Sequence, residues 1–170
     1  SEIGMALARS GWARVKFDSG EIRLAPGMAL TLNGIAQGFV ADKVADLLRA
    51  EGLNRILIDT GELSALGPQP DGTPWPVTLD AGAGTLALAD RALATSAPLG
   101  TVFDAAGTVG HILHPATGRP APALWQIVSI SAPSAALADA LSTAGCLMTS
   151  RAAIVAAVSA FPSARLEAAV

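Results

Sequence analysis

The stretch from Leu63 to Phe103 constrains the fold more than any other part of the chain. It contains four short apolar segments, SALG, WPVTLD, TLALAD and RALATS, separated by Gly, Pro and Asp. Short apolar segments bounded by turn residues are typical of β-strands. No helical pattern lies between them, although a crossover between parallel strands would require one. The stretch therefore predicts several short strands in an antiparallel meander.

One helix is expected before these strands in the sequence, and two are expected after them. After Gly34, apolar residues recur at helical spacing, which predicts an amphipathic helix over about 35–51. A second helix is expected over about 133–148, and a third over about 150–160 with Ser150 as its cap. The alanine-rich composition of the last two favours close helix packing.

Further strands are expected outside the meander. Trp12–Phe17 and Glu21–Leu24 alternate around the turn signal DSG and predict a β-hairpin. Arg55–Asp59 predicts a buried strand, and Trp125–Ser131 predicts another strand. With the helices, these strands predict an α+β fold in which one mostly antiparallel sheet carries a few packed helices, in a single domain over 1–170.

The composition argues against several classes of protein. The 11 basic and 14 acidic side chains give a net charge of −3 with no long run of one sign, so a nucleic-acid partner is not expected. No apolar stretch approaches the ~20 residues of a transmembrane helix. The single cysteine, Cys146, excludes an intrachain disulfide, and its apolar setting AGCLM predicts a packed core thiol rather than a reactive one.

Asp139 and Thr143 lie four residues apart in the second predicted helix. This spacing puts a carboxylate and a hydroxyl on the same helix face, with Cβ atoms about 5–6 Å apart. Both are hard oxygen ligands, and Mg²⁺ is commonly held by one or two carboxylates while water or phosphate fills its other positions. Polar pairs at this spacing are also common on solvated helix faces. The spacing alone leaves a metal site and a solvated face as alternatives.

The segment Asn33–Gly38, NGIAQG, opens the first predicted helix with two glycines. Glycine permits close approach of the backbone to a ligand, and a helix N-terminus offers unpaired N–H groups to phosphate. The segment matches neither the dinucleotide-binding fingerprint nor the P-loop. A phosphate-binding turn and a glycine-containing helix cap are both consistent with it.

The chain has two histidines, His111 and His114, and both precede Pro115. Proline favours extended or turn backbone, in which side chains three residues apart point to opposite faces, so a shared metal is not expected. One histidine acting on protons or contacting a ligand, and two structural turn histidines, are the alternatives. Thr95 and Ser96 end a predicted strand, where hydroxyls bind phosphate or form a turn.

The order of these motifs resembles that of the ApbE family of flavin transferases. The similarity runs through GIAQGFVADKVADLLRAEG, RILIDTGELSALG, LATSAP, HILHPATGRPAP and VSISAPSAALADALSTAGCLM, from about residue 30 to about residue 155. The LNGIAQG form is most similar to the branch that includes NosX, an accessory factor of nitrous oxide reductase maturation. The resemblance implies an ApbE-like, T-fold-related domain.

The resemblance also implies an activity, namely Mg²⁺-dependent cleavage of the FAD pyrophosphate with transfer of FMN to a threonine hydroxyl of a target flavoprotein and release of AMP. Some family members instead hydrolyse FAD to FMN and AMP. The implied metal ligands are the side chains of Asp139 and Thr143 and the main-chain carbonyl of Gly34. Asp139 and His111 are the implied catalytic residues, with His111 beside the flavin or the phosphates.

Five further positions are implied to contact FAD: Thr31, Gln37, Thr95, Ser96 and Leu113. The family usually has Asp at the position of Thr31 and Lys at the position of Gln37, and Leu113 takes the position of an apolar flavin contact. Loss of a cation near the phosphates is expected to weaken FAD binding. The family pattern also has Asp at the position of His114.

Family members are longer than this chain, so the resemblance predicts that the chain is the C-terminal portion of a longer member. It also predicts export to the periplasm, as for its relatives. The changes at Thr31 and Gln37 leave a second functional hypothesis, a flavin-binding or maturation accessory domain with impaired catalysis.

Overall fold

The computed structural model describes residues 1–170 and contains four α-helices and eleven strands, five of which form the main sheet. In chain order the helices are α1 (Glu2–Arg9), α2 (Ala36–Ala50), α3 (Ala135–Gly145) and α4 (Arg151–Ser159), with a 3-10 turn at Trp12–Arg14. The strands are β1 (Lys16–Phe17), β2 (Ile22–Arg23), β3 (Ile56–Asp59), β4 (Leu63–Leu66), β5 (Trp75–Leu79), β6 (Gly84–Leu88), β7 (Arg91–Ser96), β8 (Leu113–His114), β9 (Arg119–Pro120), β10 (Val128–Ala132) and β11 (Arg165–Ala169).

The main sheet has five strands in the order β11-β10-β7-β4-β3, and every neighbouring pair is antiparallel. The α+β prediction with a mostly antiparallel sheet is therefore confirmed. Every residue of β10 is buried, including Ser129, whose Oγ lies 2.8 Å from Oγ1 of Thr95 on β7. This bond satisfies the polar group inside the core.

The predicted meander is divided between two sheets. β4 pairs with β7 in the main sheet, whereas β5 and β6 form a separate hairpin. Val77, Leu79 and Leu88 of the hairpin pack in one apolar cluster with Ala65 and Leu93 of the main sheet. The hairpin is therefore not paired with the main sheet by strand hydrogen bonds, but it packs against the same hydrophobic core.

Helix α3 packs against β7 and β10, and α2 packs against α3. Ser134 and Ser150 cap α3 and α4, each accepting a hydrogen bond from a backbone N–H three residues on, which confirms both predicted helix starts. Cys146 lies in the apolar cluster beneath α3, where burial raises the pKa of its thiol to about 12, so the predicted core thiol is confirmed. No helix is long and apolar enough to cross a membrane.

Two local predictions are corrected. The first hairpin contains only the two-residue strands β1 and β2, and the residues Trp12–Arg14 before it form a 3-10 turn instead of a strand. The strand expected over Trp125–Ser131 begins only at Val128, since Trp125 turns inward and donates its indole N–H to the Met148 carbonyl at 2.8 Å. Helix α1 and the strands β8, β9 and β11 were not predicted.

Candidate functional site

Helices α2 and α3 approach each other closely at Gly38, and this contact builds the site. A Cβ atom at Gly38 would lie 2.3 Å from the Ala135 carbonyl oxygen, so any side chain there would clash with the backbone of α3. Asp42, one turn further along α2, accepts hydrogen bonds from the N–H groups of Ala135 (2.7 Å) and Ala136 (2.9 Å). Together with the Ser134 cap, these bonds give partners to the free backbone N–H groups at the start of α3. They also fix the start of α3 against α2.

Asp139 is buried on α3, with 4% of its surface exposed. Its Oδ2 atom accepts a hydrogen bond of 3.0 Å from the Gly38 backbone N–H. Burial raises the pKa of the Asp139 carboxyl, and the bond from Gly38 offsets part of that rise. The alternative of a solvated helix face is therefore wrong for Asp139.

Thr143 lies one helical turn after Asp139 and contacts two other segments of the chain. Its Oγ1 atom is 3.2 Å from Oγ of Ser96, which in turn lies 2.7 Å from Oγ of Ser142. A Cβ atom built on Gly34 would lie 3.0 Å from Cγ2 of Thr143 and 3.4 Å from its Oγ1. The backbone of Gly34 thus lies directly against the Thr143 side chain.

A polar cavity of about 260 Å³ opens beside these residues. It brings together the start of α2, the end of β7 and the polar face of α3. Its lining residues are Asn33, Gln37, Glu62, Thr95, Ser96, Ala97, Gly100, Thr101, His111, Ile112, Asp139 and Thr143. Two of them carry carboxylates, and none is Lys or Arg. The cavity therefore offers mainly oxygen atoms and has an acidic character.

Glu62 is a site residue that the sequence analysis missed. It lies directly before β4 with 7% of its surface exposed, and its Oε2 atom is buried without a hydrogen-bond partner. Burial raises the pKa of Glu62 to about 7, the charge of Asp139 adds to the rise, and a backbone hydrogen bond with Thr95 lowers it in part. The motif TGEL has the composition of an ordinary turn. The only local signal was an acidic residue next to the buried strand SALG.

Gln37 lines the cavity from the first turn of α2. Its Nε2 atom donates a hydrogen bond to the Thr60 carbonyl at 2.8 Å. Gly61 lies against this amide, because a Cβ atom there would be 1.8 Å from Nε2, and its φ of +95° also favours glycine. The Gln37 side chain therefore ties α2 to the turn that precedes Glu62.

The two histidines lie in different surroundings. Nδ1 of His111 is 3.1 Å from the Thr101 carbonyl oxygen. A carbonyl only accepts hydrogen bonds, so Nδ1 carries the proton in this contact, and Nε2 is the unprotonated nitrogen of the neutral ring. His114 instead accepts a hydrogen bond at Nδ1 from the Ala116 N–H at 3.2 Å. Only His111 lines the polar cavity, whereas His114 ends β8 at the turn that leads to β9.

A second, more apolar cavity of about 460 Å³ adjoins the polar one. The two cavities share Asn33, His111, Ile112 and Thr143. The remaining lining residues of the apolar cavity are Thr31, Gly34, Phe103, Leu113 and Leu147. Adjacent polar and apolar cavities suit a ligand that has polar groups at one end and a flat apolar ring at the other.

The donor atoms at the polar cavity suit a hard cation. Asp139, Thr143 and Glu62 all offer oxygen. No group of three or more His, Cys, Asp and Glu side chains in residues 1–170 is arranged to hold a metal ion by itself. A sparse oxygen set of this kind fits Mg²⁺, which keeps water molecules or substrate phosphates as its other ligands.

Known proteins resemble this chain in sequence. A model of the ApbE family matches residues 1–165. The FAD:protein FMN transferase of Treponema pallidum is 36% identical over 135 residues, which cover 69% of this chain and 37% of that protein. The protein of the same name from Escherichia coli K12 is 30% identical over 127 residues, which cover 69% of this chain and 36% of its own length. The match thus spans little more than a third of these curated relatives.

Solved structures resemble it in fold. The ApbE protein of Thermotoga maritima superposes with a TM-score of 0.81 at 30% identity, over 91% of this chain and 54% of that one. The apo flavinyl transferase ApbE of Pseudomonas stutzeri gives a TM-score of 0.72 at 32% identity, over 84% of this chain and 46% of that one. Since the family model covers nearly all of the sequence and the folds agree, the chain belongs to the ApbE family.

Proposed function

We propose that this chain acts as an FAD:protein FMN transferase or as the part of one that carries its cation site. In the proposed reaction, FAD is cleaved at its pyrophosphate in the presence of Mg²⁺, FMN is joined to a threonine of a target flavoprotein, and AMP is released. The names of the curated relatives support FMN transfer from FAD. Because the match spans only part of those relatives, activity of this chain by itself belongs to the proposal.

The acidic character of the polar cavity carries the proposal. Asp139 and Glu62 are both buried at this cavity, and no Lys or Arg lines it. In a site of low dielectric constant, the two carboxylates would repel a pyrophosphate. A cation between the carboxylates and the pyrophosphate would remove that repulsion. The adjacent apolar cavity, with Phe103 and Leu113 in its lining, offers a surface for the flavin ring.

Asp139 and Thr143 are the proposed side-chain ligands of Mg²⁺, with the main-chain carbonyl of Gly34 as a third oxygen. Mg²⁺ bound there would neutralise the negative charge that develops during phosphoryl transfer. The Gly38 N–H fixes Oδ2 of Asp139, which leaves Oδ1 for the cation. Ser96 positions the Thr143 hydroxyl by its contact at 3.2 Å.

The transfer exchanges one phosphorus–oxygen bond for another. The oxygen of the acceptor threonine bonds to the FMN phosphorus, the bond from that phosphorus to the bridging oxygen breaks, and AMP leaves with the bridging oxygen. The hydroxyl proton passes to Nε2 of His111, because Nδ1 is engaged by the Thr101 carbonyl. His111 lines both cavities, so it is suited to act between the phosphate and flavin ends of the substrate.

Other cavity residues are proposed to orient FAD. Thr31 and Leu113 line the apolar cavity, where they would contact the ring system. Thr95 and Ser96 contribute hydroxyls at the polar cavity, for the phosphates. Gln37 can offer only its amide oxygen there, since its amide nitrogen is bonded to the main chain.

The test incubates the protein with FAD, Mg²⁺ and a peptide that carries the acceptor threonine. Mass spectrometry should find a peptide that has gained FMN, with one AMP for each adduct. Asp139→Asn should abolish the Mg²⁺-dependent product, whereas Glu51→Gln, at the exposed end of α2, should keep it. A folded protein that neither binds FAD nor forms product would defeat the proposal.

A flavin-binding accessory domain with impaired catalysis is the alternative function, and Gln37 favours it. The family resemblance expects Lys at this position, and the amide brings no positive charge to the phosphates. Saturable, Mg²⁺-dependent FAD binding without any adduct or AMP in the same assay would support this alternative.

Periplasmic location is proposed from the family resemblance. Fractionation of the source cells should recover the protein in the periplasmic extract. Recovery in the cytoplasmic fraction would contradict this proposal.

A further inference from the structure

Glu62 has the least satisfied side chain in the interior of the molecule. Among buried side-chain nitrogen and oxygen atoms, only its Oε2 lacks a hydrogen-bond partner. Because the atom is buried and the residue is only 7% exposed, solvent water does not take the place of the missing partner. A buried carboxylate oxygen without a partner is costly, and its presence requires an explanation.

The groups around Glu62 repel its negative charge. The carboxylates of Asp139 and Asp59 both act against its ionisation, in addition to the larger effect of burial. A backbone hydrogen bond with Thr95 favours the ionised form, but no Lys or Arg lines the cavity. The amide nitrogen of Gln37 is already bonded elsewhere. No side chain at the cavity therefore forms an ion pair with Glu62.

The backbone that carries Glu62 is fixed from several directions. The Thr60 N–H donates to the Glu62 carbonyl at 3.1 Å and closes the turn. Gln37 packs against Gly61 on the other side. The following strand, β4, is paired with both β3 and β7. The carboxylate is thus presented at the cavity wall by a well-ordered part of the sheet.

We propose that Glu62 is a second acidic ligand of the cation site, at the same polar cavity as Asp139. The inference rests on the proposed function, since it assigns a further oxygen ligand to the cation that this function requires. A divalent cation held by both carboxylates would satisfy the orphan oxygen and replace their repulsion by attraction. It would also supply the positive charge that Gln37 does not.

Mn²⁺ is the probe for this test, because carboxylate and carbonyl sites that suit Mg²⁺ also suit Mn²⁺. The full chain is titrated with Mn²⁺ in the absence of FAD, and free Mn²⁺ is followed by electron paramagnetic resonance. Glu62→Gln, which keeps the size of the side chain, should weaken Mn²⁺ binding by about tenfold or more. Asp139→Asn should weaken it as well. The control Glu51→Gln should bind Mn²⁺ as the wild type does.

Unchanged Mn²⁺ affinity in a folded Glu62→Gln variant would overturn the inference, and so would a wild-type chain that binds no Mn²⁺. A merely structural role for Glu62 would change the thermal stability of that variant and leave its Mn²⁺ affinity as it was. Mn²⁺ binding that depends on Glu62, in a chain that releases no AMP from FAD, would overturn the transferase proposal and support this ligand assignment.

Discussion

The backbone N–H of Gly38 donates a 3.0 Å hydrogen bond to Oδ2 of Asp139, although 101 residues separate them in sequence. The bond holds the acidic residue of α3 against the beginning of α2. Gly38 lies where the two helices approach most closely, at a point that leaves no room for a side chain. The candidate site therefore depends on a packing contact as much as on its polar residues.

Gly38→Ala should destabilise the protein by roughly 1–3 kcal/mol, the range expected when a methyl group is forced into a tight contact. The new Cβ atom would lie 2.3 Å from the Ala135 carbonyl oxygen, so α2 and α3 would have to separate. The free energy of unfolding in urea measures this loss.

Gly4→Ala is the matched control, because this glycine also lies in a helix but has room for a Cβ atom. The nearest atom would be Oγ of Ser1 at 3.5 Å. Alanine favours helix over glycine by up to about 1 kcal/mol, so this variant should be as stable as the wild type or more so. Similar destabilisation in both variants would contradict the packing role of Gly38.

Glu62 should make the protein less stable as the pH rises from about 4.5 to about 7. Its pKa is raised from 4.5 to about 7 in the folded chain, so in this window the folded state keeps a proton that the unfolded state releases. The contribution of Glu62 to the free energy of unfolding should therefore fall by at most roughly 3 kcal/mol across this window. Above pH 7 that contribution should level off.

The comparison of wild type with Glu62→Gln isolates this effect, since glutamine does not titrate. Unfolding is measured at several pH values in the presence of a metal chelator. As the pH approaches 7, the wild type should lose stability relative to the variant. A difference that is independent of pH would show that Glu62 titrates normally in the folded chain.

The elements with strong local patterns could be predicted from the sequence. The apolar spacing of α2 and the serine caps of α3 and α4 are properties of neighbouring residues, so no tertiary information is needed to find them. β11 is different, because its sequence RLEAA contains no β-branched or aromatic residue. It is a strand because it pairs with β10 along an otherwise open edge of the sheet.

The candidate site was predictable in part for the same reason. Asp139 and Thr143 are one helical turn apart, so their common face follows from helix geometry alone. Glu62 lies directly before β4, which pairs with β7, and it comes near Asp139 only through the tertiary fold. Its two immediate neighbours are a glycine and a leucine, and neither indicates a charged cavity.

Thr143→Val should lower Mg²⁺-dependent release of AMP from FAD by about tenfold or more, whereas Thr143→Ser should keep most of it. Valine has nearly the shape of threonine but lacks Oγ1, which contacts Ser96 at 3.2 Å and is a proposed ligand of the cation. AMP is measured over a range of Mg²⁺ concentrations, and the valine variant should require more Mg²⁺. Equal activities of the two variants would exclude the hydroxyl from the cation site.

Gln37→Lys should tighten FAD binding by roughly fivefold, the equivalent of about 1 kcal/mol for one added cation near a phosphate. The lysine Nζ can still donate to the Thr60 carbonyl, so the turn before Glu62 should persist.

Val40→Lys adds the same charge at an exposed position of α2 that does not line the cavity, and it should leave FAD affinity unchanged. FAD affinity is measured by fluorescence quenching at low and high salt, since the gain should shrink as salt screens the new charge. Equal gains in both variants would mean that the charge acts at long range. A Gln37→Lys protein that also gains FMN transfer would identify this position as the one that limits catalysis in the wild-type chain.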